Sequence, residues 1–163
     1  MTMACTWPPY RGEDRILGLL DSPRMTLPES AKELIRSGAL GHLVTIGGRG
    51  APQLTGVWVA VDGDDLLTAH LNPRLRKLEN VRRDPRVAVS FQGSAIRPPG
   101  LLEYLVVHGN ATIEEGGAAE LLQELAHVYL GPDVRFPAMD NPPPGVRMRI
   151  AVERVSGIGP WAT

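Results

Sequence analysis

The regular alternation of apolar and polar residues near the end of the chain predicts a strand with one buried face. Val146, Met148, Ile150 and Val152 alternate with arginine and alanine residues, which is the period of two expected of a half-buried strand. Shorter apolar and β-branched runs, bounded by glycine- and aspartate-rich turns, predict the other strands: residues 41–46, 52–61, 66–70, 86–91 and 101–113. The chain is therefore predicted to be mostly β, with about six strands.

The segment between the third and fourth predicted strands has the period of a helix instead. Leu75, Leu78 and Val81 recur every third residue and form one apolar stripe. Asn72 is a favourable N-cap, and Pro73 suits the first helical position. A short helix that begins at residue 73 is therefore predicted here.

Tight turns join most of the predicted strands, which indicates antiparallel pairing in a small closed barrel and not an alternating parallel sheet. The 163 residues are enough for one domain with a core of its own. We expect an N-terminal arm over residues 1–25 and a single barrel domain over residues 26–163, with helices at its periphery.

The charge at the start of the predicted helix is unusual. Arg74, Arg76 and Lys77 fall in its first turn, where the helix dipole and the free N–H groups favour negative charge. Each cation there should cost a few tenths of a kcal/mol up to about 1 kcal/mol. An anion bound at the helix start, phosphate being the usual one, would offset that cost. From this feature alone a solvated basic face is the favoured interpretation, and a phosphate site is the alternative.

Composition excludes several classes of function. The formal net charge is −1 and aromatic residues make up 5% of the chain, so it lacks the basic and aromatic excess of nucleic-acid-binding proteins. Cys5 is the only cysteine, which excludes a disulfide within the chain and a cysteine-built metal cluster. No apolar run approaches the roughly 18 residues that a membrane span needs, and the first 25 residues lack a secretory signal. We expect a cytoplasmic protein with no nucleic-acid or membrane partner.

The chain also lacks the residue sets of common hydrolytic and metal sites. His42, His70, His108 and His127 lie on different predicted elements, and a structural role is favoured over metal ligation for each. There is no Gly-x-Ser-x-Gly segment and no recognisable nucleophile triad. No catalytic residue is therefore assigned and no metal is expected. A bound cofactor is the simplest way for this chain to perform chemistry.

Four segments, in their order and spacing, resemble the pyridoxamine 5'-phosphate oxidase-like split β-barrel superfamily. They are residues 52–55 (Pro-Gln-Leu-Thr), 68–70 (Thr-Ala-His), 76–77 (Arg-Lys) and 80–89 (Asn-Val-Arg-Arg-Asp-Pro-Arg-Val-Ala-Val). Within the superfamily the chain is most similar to the flavin/deazaflavin oxidoreductases, especially the branch that uses coenzyme F420. The resemblance extends from about Gly41 to Gly109 and then thins.

This resemblance implies a six-stranded antiparallel split β-barrel of the FMN-binding type, paired as a homodimer with the cofactor at the interface. It implies an F420-dependent oxidoreductase that transfers a hydride from C5 of the reduced deazaflavin to a small conjugated organic substrate, such as a quinone or a tetrapyrrole. An FMN-dependent oxidoreductase and a flavin or deazaflavin carrier without catalysis are the alternatives.

The resemblance also implies a set of cofactor-binding residues: Gln53, Leu54 and Thr55 at the pyrimidine end of the ring, Thr68 and His70 beneath the ribityl chain and phosphate, and Arg74, Arg76 and Lys77 at the phosphate. Leu75 stands where the FMN-binding oxidases have a serine, and Arg82 and Arg83 would favour the acidic tail of F420. Thr55, Trp58 and Tyr104 are candidates for the substrate side. For Trp58 and Tyr104, cross-strand packing is favoured over substrate contact.

Overall fold

The structure, a computed structural model, describes residues 24–162. The predicted N-terminal arm therefore lies outside the described residues, except for Arg24 and Met25. Three helices are present in this part of the chain: α1 (Glu29–Arg36), α2 (Arg76–Arg83) and α3 (Ala118–Tyr129). The strands are β1 (Gly41–Ile46), β2 (Pro52–Val57), β3 (Ala60–Asp62), β4 (Asp65–His70), β5 (Arg86–Arg97), β6 (Leu101–Glu115) and β7 (Val146–Ile158). Among the described residues, none of the helices has the length and apolarity required to cross a bilayer.

All seven strands pair antiparallel in the order β2-β1-β5-β6-β7-β4-β3. The two edge strands, β2 and β3, are consecutive in the chain, and Trp58 and Val59 alone connect them. Three steps between neighbouring Cα atoms span at most about 11 Å, so the sheet must curl until its two edges approach each other. Within residues 24–162 no hydrogen-bonded ladder joins these edges. The prediction of a mostly β, antiparallel split barrel with peripheral helices is confirmed, and the barrel is split between β2 and β3.

Two details of the predicted strands are wrong. Residues 52–61 were predicted as one strand, but the chain leaves one edge of the sheet after Val57 and joins the other edge at Ala60, which makes seven strands instead of six. Residues 92–100 were predicted as a loop, but β5 continues to Arg97 through a register shift after Gln92. There Arg97 donates two hydrogen bonds, of 3.0 and 2.8 Å, to one carboxylate oxygen of Glu103 on β6.

The main core fills the inside of the curved sheet. Its largest fully buried side chains come from five of the strands and two helices, and include Ile35, Leu43, Leu66, Leu78, Val89, Phe91, Leu105, Val107, Met148 and Ile150. A second cluster lies on the outside of β4, where Leu67 and Ala69 pack against Leu121 and Leu125 of α3. Because core covers one face of β4 and α3 the other, all six residues of this strand are buried. That burial determines the environment of the two predicted site residues on β4.

Candidate functional site

Helix α2 begins later than the sequence predicts. Asn72 does not cap it; the Asn72 side-chain oxygen accepts the backbone N–H of Arg74 at 2.9 Å and forms a local turn. The helix starts at Arg76, and Leu75 occupies the N-cap position in an extended conformation. The backbone oxygen of Leu75 accepts the N–H groups of Leu78 and Glu79, at 2.9 and 3.2 Å. Arg74 therefore precedes the helix and is exposed.

Arg76 and Lys77 point into two different cavities. Consecutive helical residues diverge by about 100° around the axis, and here that divergence separates the two cations. Lys77 lines an apolar cavity of about 330 Å³ together with His70. Arg76 lines a polar cavity of about 320 Å³ together with Gln53. Arg74 lines neither of them.

The apolar cavity lies near the split in the barrel, between the end of β2, the end of β4, the start of α2 and the outer helix α3. It is lined by Leu40, Gly56, Val57, Trp58, Ala69, His70, Lys77, Leu122 and Phe136. Lys77 is the one charged side chain in that lining, and it is half-buried. A cavity of this volume, mostly apolar with a few polar groups, matches the general form of small-molecule sites.

Burial controls the charge state at the polar end of this cavity. Burial, followed by the nearby charge of Lys77, lowers the pKa of His70 to about 4, so His70 is neutral at neutral pH. One ring nitrogen of His70, Nε2, lies 2.9 Å from the hydroxyl oxygen of the fully buried Thr68. Burial also lowers the pKa of Lys77, because a desolvated ammonium is disfavoured. An anion bound beside Lys77 would stabilise the charged form of its side chain.

Strand β2 separates its three predicted site residues onto two faces, as alternation in a strand requires. Gln53 and Thr55 lie on the face that continues to the buried Val57, and both are partly buried. Leu54 lies on the opposite face and is 63% exposed, so its side chain does not join the others. The hydroxyl oxygen of Thr55 is buried and has no hydrogen-bond partner within residues 24–162. An unpaired buried hydroxyl is costly, and a ligand could supply the missing bond.

The polar cavity is built on Asn80, a fully buried residue of α2. The Asn80 amide nitrogen donates to the Thr45 hydroxyl at 3.0 Å and to the Gln53 side-chain oxygen at 2.8 Å. The Asn80 side-chain oxygen accepts a bond of 2.8 Å from Arg83. These bonds hold Gln53 and Arg83 in place and leave the exposed Arg76 beside them. The cavity thus presents two guanidinium groups and an amide, together with one carboxylate, that of Glu79.

Sequence reasoning missed residues in both cavities. Asn80 was named only as part of the segment 80–89 and was not assigned to the site. Its position as a polar residue on the buried side of a helix was the signal that could have identified it. Leu122 and Phe136 were not considered, because they come from α3 and from the irregular segment after it. Trp58 does line the apolar cavity. Tyr104 lies on β6 opposite Gln92 and outside both cavities.

Comparison with known proteins shows the family to which the chain belongs. The sequence model of the pyridoxamine 5'-phosphate oxidase family matches residues 27–159. The chain belongs to this family. The match covers every helix and strand of the described fold, as well as all residues that line the two cavities.

Individual members of the family support that assignment. The chain is 30% identical, over 99 residues, to the 5a,11a-dehydrotetracycline/5a,11a-dehydrooxytetracycline reductase of Streptomyces rimosus; the aligned part is 58% of this chain and 70% of the reductase. A solved F420 reductase is 28% identical, with a TM-score of 0.64 over 79% of this chain and 98% of that one. A conserved hypothetical protein of Mycobacterium tuberculosis is 25% identical, with a TM-score of 0.63 over 82% of this chain and 85% of that one.

Proposed function

We propose that this chain is an F420-dependent oxidoreductase that transfers a hydride between the deazaflavin coenzyme and a small conjugated organic substrate. The observation that carries the proposal is the cavity in which the desolvated Lys77 and the neutral His70 meet an apolar, partly aromatic surface. One end suits a phosphate and the rest suits a flat ring. Membership of the pyridoxamine 5'-phosphate oxidase family, with an F420 reductase among the similar structures, supports a flavin-type cofactor.

The residues of this chain would bind and orient, and they would exclude water. Lys77 would hold the phosphate, because a half-buried ammonium gains more from an anion than an exposed one does. Thr55 would offer its unpaired hydroxyl to the ring or its side chain. His70 would line the polar end of the cavity without adding charge, and the buried Thr68 would hold its ring. The bound coenzyme supplies the hydride chemistry itself.

The polar cavity favours F420 over FMN. F420 carries a phosphodiester and an acidic polyglutamate tail, so it needs more cations than FMN does. Arg76 and Arg83 supply them beside Gln53, on the same helix as Lys77. Leu75, by contrast, offers no hydroxyl to a phosphate where the FMN-binding oxidases have a serine. Lys77 would therefore serve the phosphate and Arg76 the acidic tail.

A homodimer is part of the same proposal, because a row of exposed or partly buried side chains crosses the outer face of the sheet. Leu54, Val44, Ala88 and His108 are direct neighbours across β2, β1, β5 and β6, and all of them face away from the barrel core. Burial and the nearby charge of Arg154 lower the pKa of His108, so the charge at this end of the row is that of Arg154, the neighbour of His108 on β7. A second copy of the chain would cover this row and bring its own residues to the cofactor.

Paired titrations of the purified protein with F420 and with FMN, followed by fluorescence quenching, test the proposal. We expect micromolar binding of F420 and clearly weaker binding of FMN. Tight FMN binding alone would favour the FMN-dependent alternative, and binding without turnover of any conjugated acceptor would favour a carrier. If neither coenzyme binds, both oxidoreductase readings fail.

Arg76→Ala tests the proposal that the polar cavity holds the acidic tail of F420 while the apolar cavity holds its phosphate and ring. Arg76 is exposed, so its loss should cost about 0.2–1 kcal/mol of F420 affinity, or roughly 1.5- to 5-fold, and leave FMN affinity unchanged. Arg82 was also expected near the acidic tail, but it lines neither cavity and donates to the Pro73 carbonyl at 3.1 Å. Arg82→Ala is therefore the matched control, because Arg82 is an exposed cation on the same helix. Equal losses for F420 and FMN in Arg76→Ala would contradict a role for Arg76 at the acidic tail.

A further inference from the structure

One side chain of α3 bonds the middle of the segment between α3 and β7, residues 130–145, whose two ends bond α3 through the backbone. The Gln123 side-chain oxygen accepts the backbone N–H of Phe136 at 2.9 Å. Its amide nitrogen donates to the backbone oxygen of Val134, also at 2.9 Å. These are the two bonds that a neighbouring strand would make, but here a helical side chain makes them. The position of Phe136 thus depends on Gln123.

The orientation of the Gln123 amide is fixed by its partners. A backbone N–H needs an acceptor and a backbone oxygen needs a donor, so only one placement of the amide satisfies both Phe136 and Val134. The Gln123 nitrogen also lies 2.7 Å from Nε2 of His127. Since that nitrogen is a donor, Nε2 of His127 is the acceptor. His127 therefore bonds the Gln123 amide but makes no bond of its own to the backbone of residues 134–136.

Phe136 and Trp58 form the aromatic wall of the apolar cavity. Their ring centroids are 5.2 Å apart, and the rings are tilted by 59°. Trp58 also stacks on Tyr129, at 5.3 Å and 12°. The Tyr129 hydroxyl accepts the N–H of Val59 and donates to the Ala39 carbonyl, both at 3.1 Å, which fixes Trp58 from the barrel side. Gln123 anchors the other half of the wall.

We propose that Gln123 is a positioning residue that holds Phe136 in the aromatic wall, so that a flat ring bound in the apolar cavity meets a fixed surface. The inference rests on the proposed function, because it takes the apolar cavity as the site of ring binding. Aromatic side chains contact a planar ring over a large area at low entropic cost and favour offset or edge-to-face contacts. If Gln123 is lost, residues 134–136 lose both bonds, and Phe136 no longer presents a fixed surface opposite His70 and Lys77.

Gln123→Ala tests this in the full-length protein, with menadione (2-methyl-1,4-naphthoquinone) as the flat probe and calorimetry as the measurement. We expect about tenfold weaker menadione binding, because two backbone hydrogen bonds that order the wall are lost. Gln123→Glu keeps an acceptor for the Phe136 N–H and loses the donor for the Val134 oxygen. Its affinity for menadione should therefore lie between those of Gln123→Ala and the unsubstituted protein. His127→Ala is the matched control; it removes only the third partner of the amide and should bind menadione within twofold of the unsubstituted protein.

The F420 titration of the same variants separates this inference from the proposed function. The ring of F420 would lie in the same cavity, but Lys77 and Arg76, which would hold its phosphate and acidic tail, make no bond to residues 134–136 in the described structure. Gln123→Ala should therefore still bind F420, with a loss of affinity no larger than the loss for menadione. A loss of menadione binding in Gln123→Ala that His127→Ala does not share supports the inference. Equal menadione affinity in Gln123→Ala and the unsubstituted protein overturns it, as does the same loss in His127→Ala, a loss of F420 affinity larger than that of menadione, or no menadione binding at all. Failure of the unsubstituted protein to bind F420 would count against the proposed function instead.

Discussion

Replacing Lys77 with methionine should change stability and ligand affinity in opposite directions. The substitution keeps an unbranched apolar stem in the cavity and removes the charge. Lys77 lies half-buried among apolar residues, beside His70. If Lys77 stabilised the fold, its removal should lower the free energy of unfolding. If Lys77 serves to bind an anion, its removal should not lower that free energy. The two effects of one substitution therefore distinguish these roles.

The stability effect follows from the direction of the pKa shift. Burial lowers the pKa of Lys77 in the folded protein below its ordinary value of 10.5. The unfolded chain thus holds this proton more tightly, and the cost to folding is fully present below the folded-state pKa. That cost is relieved as pH rises from the folded-state pKa towards 10.5. At neutral pH, Lys77→Met should leave the free energy of unfolding unchanged or raise it, as measured by urea denaturation without ligand.

The affinity effect is larger and has the opposite sign. A hydrogen bond between an ammonium and a phosphate contributes about 1.5–3 kcal/mol, so Lys77→Met should bind F420 roughly 10- to 150-fold more weakly. Arg82→Met serves as the control, since Arg82 is an exposed cation on the same helix and lines neither cavity. It should bind F420 within twofold of the unsubstituted protein. An unchanged F420 affinity in Lys77→Met, or a clear loss of stability without ligand, would refute the assignment of Lys77 to the phosphate.

Two further predictions concern acid stability and assembly. Because the pKa of His70 is about 4 when folded and about 6.5 when unfolded, stability should fall by about 3 kcal/mol as pH drops from 6.5 to 4. Urea denaturation across this range should show a shallower fall for His70→Gln, and identical pH dependence would contradict a buried neutral His70. Leu54→Asp changes a side chain that is 63% exposed in one chain, so it should barely alter the melting temperature but should convert the dimer to a monomer in light scattering. A dimer that persists in Leu54→Asp would place the interface elsewhere.

The elements that the sequence predicts well are those whose patterns are local. Residues 41–46 were predicted as a strand and form β1 with the same bounds, because alternation and turn residues mark both ends. The division of residues 52–61 was not predictable in this way. Trp58 and Val59 interrupt the strand because the two edges of the curved sheet meet there, which depends on all the other strands.

In the candidate site too, residues marked by a local sequence pattern were predicted, and residues placed by distant parts of the chain were not. Arg76 and Lys77, which line the two cavities, were named from a short segment of sequence, but their separation into different cavities was not predicted. The start of α2 was placed too early because Asn72, a common N-cap, bonds the backbone of Arg74 instead. Phe136 had no signal, since its segment has neither strand nor helix period. Its backbone N–H donates to the side chain of Gln123, a residue 13 positions away, which no local pattern could indicate.

A crystal structure of the protein with F420 tests the central claim most directly, because it shows which residues hold the phosphate. The account predicts electron density for the coenzyme in the apolar cavity, with a phosphate oxygen within about 4 Å of the Lys77 ammonium and the acidic tail directed towards Arg76. Coenzyme bound at another surface, or a phosphate that Lys77 does not contact, would contradict the claim.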